Sequence, residues 1–120
     1  MSKIVIREPY IGSVLSVNHC YFTNKRGQRL LYPEAKNWME ALAWDVIAAI
    51  ECNTQNLPLK VTVSGVFKDQ RSVPDLHNLD KLIMDAVALG TGVNDRYIGF
   101  ETGSSTIGET PELIIEISGA

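Results

Sequence analysis

The 120-residue sequence contains only two cysteines, Cys20 and Cys52. They show no metal-ligand spacing and the chain has no secretory features, so free thiols are favoured over a disulfide. No apolar run approaches the ~18 residues of a membrane-spanning helix. The N-terminal stretch MSKIVIREPY has no signal-peptide hydrophobic segment. The sequence therefore predicts a cytoplasmic protein that has no part in a membrane.

The sequence also lacks an excess of basic residues. It has 11 Lys and Arg against 14 Asp and Glu, a net charge of -3. Proteins that neutralise many DNA phosphates are usually basic, so the global charge gives no indication of a nucleic-acid partner. The basic residues are nevertheless clustered. Lys25, Arg26 and Arg29 lie close together, and Lys68 and Arg71 follow at mid-chain.

The length of 120 residues, with 45% hydrophobic and 21% charged residues, is typical of a single globular domain with one core. Alternating apolar residues predict strands, and apolar residues three and four apart predict helices. The predicted strands are 3–8, 59–67, 96–106 and 112–119; the predicted helices are 33–51 and 78–89; NKRG (24–27) is the tip of a hairpin or loop. This order predicts an α+β fold, with a mixed β-sheet and two main helices packed on one face.

The stretch PDLHNLDKLIMD (74–85) places several ionisable groups at the start of the second helix. Positions 77, 81 and 85 form one stripe on a continuous helix, and Asp75 precedes it. The turn GVNDRYI (92–98) adds Asp95, which would fold back beside Asp75 if the following strand pairs with 59–67. Two carboxylates suit a magnesium ion, and a nearby lysine suits phosphoryl charge. This set fits metal-assisted phosphodiester hydrolysis.

Structural roles explain the same residues equally simply. Asp75 or Asn78 is a typical helix N-cap, and Lys81 with Asp85 is a typical surface pair on a helix. His77 suits an exposed or capping position. Asp95 follows Asn94 and suits a turn. Spacing alone leaves both interpretations open.

Three motifs resemble the RusA family of Holliday-junction resolvases. PDLHNLDKLIMDAV is similar to the family signature P-D-x-D-N-L-x-K-x-x-x-D-A-L, and GVNDRYI is similar to the later D-D-x-x-[IV] motif. Upstream, SVNHCYFTNKRGQRLLYPEAKNWMEAL resembles the family's S-x-N-x-x-Y loop, basic hairpin and first helix. The resemblance covers nearly the whole chain.

The resemblance implies a homodimeric, magnesium-dependent endonuclease, often phage-associated, that makes two symmetric nicks in a four-way DNA junction during recombination and repair. A two-fold protein presents two equivalent sites to such a junction. Asp75 and Asp95 match the catalytic, metal-binding aspartates, and Lys81 matches the essential lysine. Asn78 and Asp85 match positions with partly structural roles. The DNA-binding set implied is Asn18, Lys25, Arg26, Arg29, Lys68 and Arg71.

The sequence departs from this pattern at two positions. His77 stands where the family has a second aspartate, and Asn94 replaces the first acid of the late pair. Imidazole is a poorer magnesium ligand than carboxylate but an acceptable one for manganese. Three outcomes follow: an enzyme with an altered metal preference, Mn²⁺ as well as Mg²⁺; an enzyme that uses His77 as an acid or base; or a domain that binds branched DNA without cleaving it.

Overall fold

A four-stranded β-sheet lies at the centre of the fold in the computed structural model, which describes residues 3–50 and 59–119. The strands and helices are β1 (Ile4–Pro9), β2 (Tyr21–Thr23), β3 (Arg29–Leu31), α1 (Pro33–Ile50), β4 (Leu59–Phe67), α2 (Asp80–Thr91), β5 (Ile98–Ile107) and β6 (Glu112–Gly119). The sheet order is β1-β6-β4-β5, and β2 and β3 form a separate hairpin. Only β4 and β5 are parallel, so the sheet is mixed. The predicted α+β single domain is confirmed.

Alternation along the strands decides which face of the sheet is buried. In β4, Leu59, Val61, Val63 and Phe67 are fully buried, while the residues between them, other than Gly65, are half-exposed. The strands β1 and β6 show the same alternation. Because side chains on a strand point alternately to opposite faces, one face joins the core with the helices. Both helices pack on that face, as predicted.

Helix α1 follows the predicted pattern. Pro33 suits its first turn, and Ala35, Trp38, Leu42, Ala43 and Val46 form its buried face. The Trp38 indole Nε1 donates a hydrogen bond of 2.7 Å to the Pro9 carbonyl, which joins α1 to the end of β1. The predicted end of this helix at residue 51, the connection 53–58 and Cys52 lie outside the described residues.

The two helices approach closely at Gly90. A Cβ atom there would lie 2.7 Å from Val46 Cγ1 and 2.9 Å from the Ala43 carbonyl oxygen of α1. Gly92 ends α2 with a φ of 72°, a left-handed conformation that glycine adopts without strain. Gly90 therefore serves helix packing, and only Gly92 is the helix cap.

Strand β5 is an edge strand with an irregular register. Its pairing with β4 shifts between Val63 and Gly65, and the Ser104 N–H donates to Ser64 Oγ at 3.2 Å in this bulge. The strand begins at Ile98, two residues after the predicted start, because residues 95–97 form a 3₁₀ turn. Such bulges twist the edge of a sheet.

Two further predictions concern cysteine and membranes. The thiol of Cys20 is free and buried. Within the ranges 3–50 and 59–119, the helices are too short or too polar to cross a bilayer.

Candidate functional site

Asp75 caps a short 3₁₀ helix, Leu76–Leu79, that leads into α2. Its Oδ1 accepts a hydrogen bond of 3.0 Å from the His77 N–H, and its carbonyl accepts one of 2.9 Å from Asn78. Leu76 and Leu79 are buried and anchor this turn, while Asp75 stays exposed. Because the turn is wound as 3₁₀, the α-helix begins at Asp80 instead of the predicted Asn78. The predicted stripe of 77, 81 and 85 is therefore wrong, and only Lys81 and Asp85 share the α-helical face.

A cleft of about 620 Å³ opens beside Asp75. It lies between the segment that follows β1, the turn that follows β4 and the 3₁₀ helix at residues 76–79. Lys68 and Arg71, both predicted to bind DNA, line it together with Asp75 and Asn78. The cleft thus combines two cationic side chains with a carboxylate and an amide.

The walls of the cleft are fixed by local hydrogen bonds. The Asp69 carboxylate accepts from the Ser72 N–H at 2.9 Å and from Ser72 Oγ at 2.8 Å, which closes a turn at residues 69–72 that includes Arg71 and directly follows Lys68. The hydrogen bond from the Ser72 hydroxyl, with lesser help from the backbone and Lys68, lowers the pKa of Asp69. On the opposite wall, the Val17 N–H donates to the Asn78 carbonyl at 2.7 Å. Both basic residues therefore project from an ordered turn.

Lys81 forms an ion pair on α2. Its Nζ lies 3.1 Å from Asp85 Oδ1, one helical turn further on. The hydrogen bond from Lys81 to Asp85 is the largest cause of a raised pKa at Lys81, and the charges of Asp85, Tyr21 and Asp95 act in the same direction. The ammonium group is therefore held in its charged form. Its electrostatic surroundings include the predicted late aspartate, Asp95.

Asp95 begins a 3₁₀ turn, Asp95–Tyr97, immediately before β5. Asn94 caps that turn, since its Oδ1 accepts from the Arg96 N–H at 3.0 Å. The strand that follows, β5, pairs with β4 at residues 59–67. The His77 ring lies 6.2 Å from the Phe100 ring, which places the 3₁₀ helix at 76–79 over the first residues of β5. The predicted catalytic residues thus come from two capped turns and α2.

The predicted DNA-binding residues fall into two groups. The first is on or beside the β2–β3 hairpin, where Asn24 Oδ1 accepts from the Arg26 and Gln28 N–H groups, both at 2.9 Å, and shapes the tip. The Arg29 guanidinium lies 4.2 Å from the centre of the Tyr21 ring. The hairpin residues Lys25 and Arg26, and the nearby Asn18, are exposed. The second group is Lys68 and Arg71 in the cleft.

Two of the cleft side chains that sequence reasoning did not assign to a site are Tyr10 and His19. Tyr10 is half-buried, with its ring 5.1 Å from that of Phe67 and perpendicular to it, and burial raises its pKa. His19 is exposed and also lines the cleft. The sequence did contain an indication for His19, because this residue lies inside the stretch SVNHCY that resembles the family's S-x-N-x-x-Y loop. The packing of that loop against Asn78 depends on the tertiary fold.

The described side chains do not form a complete metal site by themselves. Among the residues that the structure describes, no three His, Cys, Asp or Glu side chains are grouped closely enough to hold a metal ion. Magnesium in phosphoryl-transfer sites is commonly held by one or two carboxylates, with waters and a substrate phosphate oxygen completing the shell. Asp75 and Asp95 are exposed carboxylates of that kind.

A comparison with protein families identifies the chain. The model of the family described as endodeoxyribonuclease RusA matches residues 12–118. The chain belongs to the RusA family. The match confirms the resemblance, and it includes Asp75, Lys81, Asp95 and most of the cleft. RusA proteins are crossover junction endodeoxyribonucleases, so membership supports nuclease activity on junction DNA. A search of curated proteins finds none that matches this chain.

Proposed function

We propose that this RusA-family protein is a metal-dependent, structure-selective endonuclease that resolves four-way DNA junctions by paired symmetric nicks in recombination and repair. The observation that carries the proposal is the position of Asp75, an exposed carboxylate in the same cleft as Lys68 and Arg71. Cationic side chains at this place attract the DNA backbone without reading its sequence. A phosphodiester bound there lies beside a carboxylate.

Each predicted catalytic residue has a role that its surroundings support. Asp75 and Asp95 would hold Mg²⁺, or Mn²⁺, together with water and a phosphate oxygen of the DNA. The bound ion would supply Lewis-acid stabilisation of negative charge on the phosphate. Lys81, whose pKa is raised by Asp85, would supply a positive charge to the same phosphate. His77 is tied to Asp75 through its backbone N–H and has an exposed side chain.

The alternative is a RusA-like protein that binds branched DNA without cleaving it. His77 favours this alternative, because an imidazole at the family's second aspartate position removes a hard, charged ligand. The two functions share the cationic surface and differ only in the fate of the phosphodiester bond. In both, we propose a homodimer in the cytoplasm, encoded by a host or prophage genome.

Cleavage of a synthetic four-way junction tests the proposal. Nicks at symmetric positions are expected with Mg²⁺ or Mn²⁺, and Asp75→Asn, Asp95→Asn and Lys81→Ala should each abolish them while salt-dependent binding persists. A matched linear duplex is the substrate control. If the wild type binds the junction and no divalent metal supports nicking, the binding function is correct. If it shows no salt-dependent affinity for branched DNA, both functions are wrong.

A further inference from the structure

We propose that the cleft beside Asp75 binds one unpaired nucleotide of the DNA, with its base inside the cleft and its phosphates at Lys68 and Arg71. This inference rests on the proposed nuclease function, because it specifies which part of the substrate the site takes. It adds a base-binding pocket to a surface that otherwise needs only to attract phosphates.

The size of the cleft supports a single nucleotide. Its volume of about 620 Å³ is within the range of about 300–1,000 Å³ that is usual for pockets of small ligands. A base within a duplex is paired and stacked on both sides, so it enters such a pocket only after it leaves the helix. The occupant is therefore an extruded base and not a stretch of intact double helix.

The side chains of the cleft match the parts of a nucleotide. Tyr10 and His19 offer rings against which a base can stack, and the contact of Tyr10 with Phe67 fixes one of them. Asn78, Ser13 and Ser16 offer hydrogen-bond donors and acceptors for the edge of the base. The ammonium and guanidinium groups of the turn at 68–71 match the flanking phosphates.

The position of Asp75 connects base binding to cleavage. Asp75 lines the same cleft, so a nucleotide held there has its own phosphodiester beside the carboxylate proposed to hold the metal ion. Extrusion costs a few kcal/mol and is easiest where the surrounding stack is weakest. A base pair at the branch point of an open junction lacks a stacking neighbour on one side, whereas a base pair inside a linear duplex is stacked on both sides. The cleft would thus make cleavage selective for branched DNA.

The test uses 2-aminopurine, whose fluorescence rises when the base leaves the stack. It is placed at successive positions around the branch point of a four-way junction, and the full-length protein is added without divalent metal. A rise is expected at one or two positions in the wild type. Ser13→Trp, which fills the cleft from an exposed position, should abolish the rise and slow nicking, with less effect on overall junction affinity. Ser105→Trp, at an exposed serine outside the cleft lining, is the matched control.

A second measurement needs no bulky substitution. The 5′-monophosphate of 2-aminopurine deoxyriboside should bind the wild type saturably, and His19→Ala should raise its Kd by about tenfold through the loss of stacking. The inference is overturned if no junction position responds, if Ser13→Trp responds like the wild type, or if the monophosphate does not bind saturably. Junction nicking that persists in those cases leaves the nuclease function intact. Binding of the monophosphate without any affinity for junctions would instead reject the nuclease function.

Discussion

Lys81 Nζ and Asp85 Oδ1 lie 3.1 Å apart on one face of α2. An exposed i, i+4 pair of this kind contributes only about 0.2–0.5 kcal/mol to stability. The pair also raises the pKa of Lys81, so the ammonium stays charged to a higher pH than that of an unpaired lysine. We therefore interpret Asp85 as a residue that maintains the charge of Lys81 at alkaline pH.

Asp85→Asn should make nicking more sensitive to alkaline pH. Without the carboxylate the pKa of Lys81 falls, so the ammonium loses its proton at a lower pH. The alkaline limb of the nicking-rate profile should therefore move to lower pH. Single-turnover nicking rates from about pH 8 to about pH 11, a range that includes the ordinary lysine pKa of about 10.4, measure this shift. Glu101→Gln is the control, because it breaks the 2.9 Å pair with Lys60 and should leave the profile unchanged. An unshifted limb in Asp85→Asn would contradict the interpretation.

Substitutions of Asp75 separate its structural role from its catalytic one. Asn retains a side-chain oxygen that can accept from the His77 N–H, so Asp75→Asn should change the free energy of unfolding by only about 0.5 kcal/mol or less. Asp75→Ala removes the cap and should lower it by about 0.5–2 kcal/mol. Both variants should lose junction nicking. Urea denaturation and nicking assays measure the two effects, and an active Asp75→Asn would show that the residue is only a cap.

Gly90→Ala should destabilise the protein although alanine is the better helix former. Helix propensity alone favours Ala over Gly by about 1 kcal/mol. The new Cβ, however, would lie 2.9 Å from the Ala43 carbonyl oxygen, which belongs to the backbone of α1. Overpacking of this kind costs about 1–3 kcal/mol and should exceed the propensity gain. Urea denaturation gives the sign of the change in the free energy of unfolding. Leu89→Ala, at an exposed neighbouring position, is the control. A Gly90→Ala variant more stable than the wild type would show that the two helices move apart at little cost.

Glu8 should make the protein less stable as the pH rises. It lies on β1 with only 8% of its surface exposed, and its Oε2 has no hydrogen-bond partner among the described residues. The pKa of Glu8 is raised from 4.5 to about 8, and burial is the largest cause. A hydrogen bond with the Asp45 side chain and the negative charge of Asp45 act in the same direction. The folded state therefore holds a proton that the unfolded state releases between these values. The contribution of this bound proton to the free energy of unfolding is fully present below about pH 4.5 and is lost as the pH rises to about 8.

The isosteric substitution Glu8→Gln tests this linkage. Glutamine cannot ionise, so the melting temperature of the variant minus that of the wild type should increase between about pH 5 and about pH 8. Thermal unfolding at several pH values measures it. Glu109→Gln, in an exposed loop, should show no such trend. A difference that is constant with pH would rule out the proposed ionisation of Glu8.

The regular elements were predictable because their signals are local. The alternation in 59–67 and 112–119 predicted both strands with the bounds that the structure has. Two predicted starts, at Asn78 and Arg96, were wrong by two residues each. They follow Asp75 and Asn94, whose side chains accept hydrogen bonds from the backbone N–H groups two residues further on. Such capping competes with helix and strand geometry, and apolar periodicity does not report it. The cleft was not predictable, since it joins Tyr10 to the distant segment 68–79 through the fold.

His77 is the position at which cleavage and simple binding can be separated. Its side chain is exposed beside Asp75, so a substitution there should not disturb the core. His77→Asp restores a hard, charged ligand, and nicking in Mg²⁺ should rise by about tenfold, equivalent to about 1.4 kcal/mol of transition-state stabilisation. His77→Asn, which adds no charge, is the matched control and should not gain activity.

Junction nicking rates in Mg²⁺ and in Mn²⁺ measure the effect of both substitutions. Equal rates for the wild type and His77→Asp would show that this side chain is not a metal ligand, whereas a loss of activity in both variants would show that the imidazole itself acts as an acid or base.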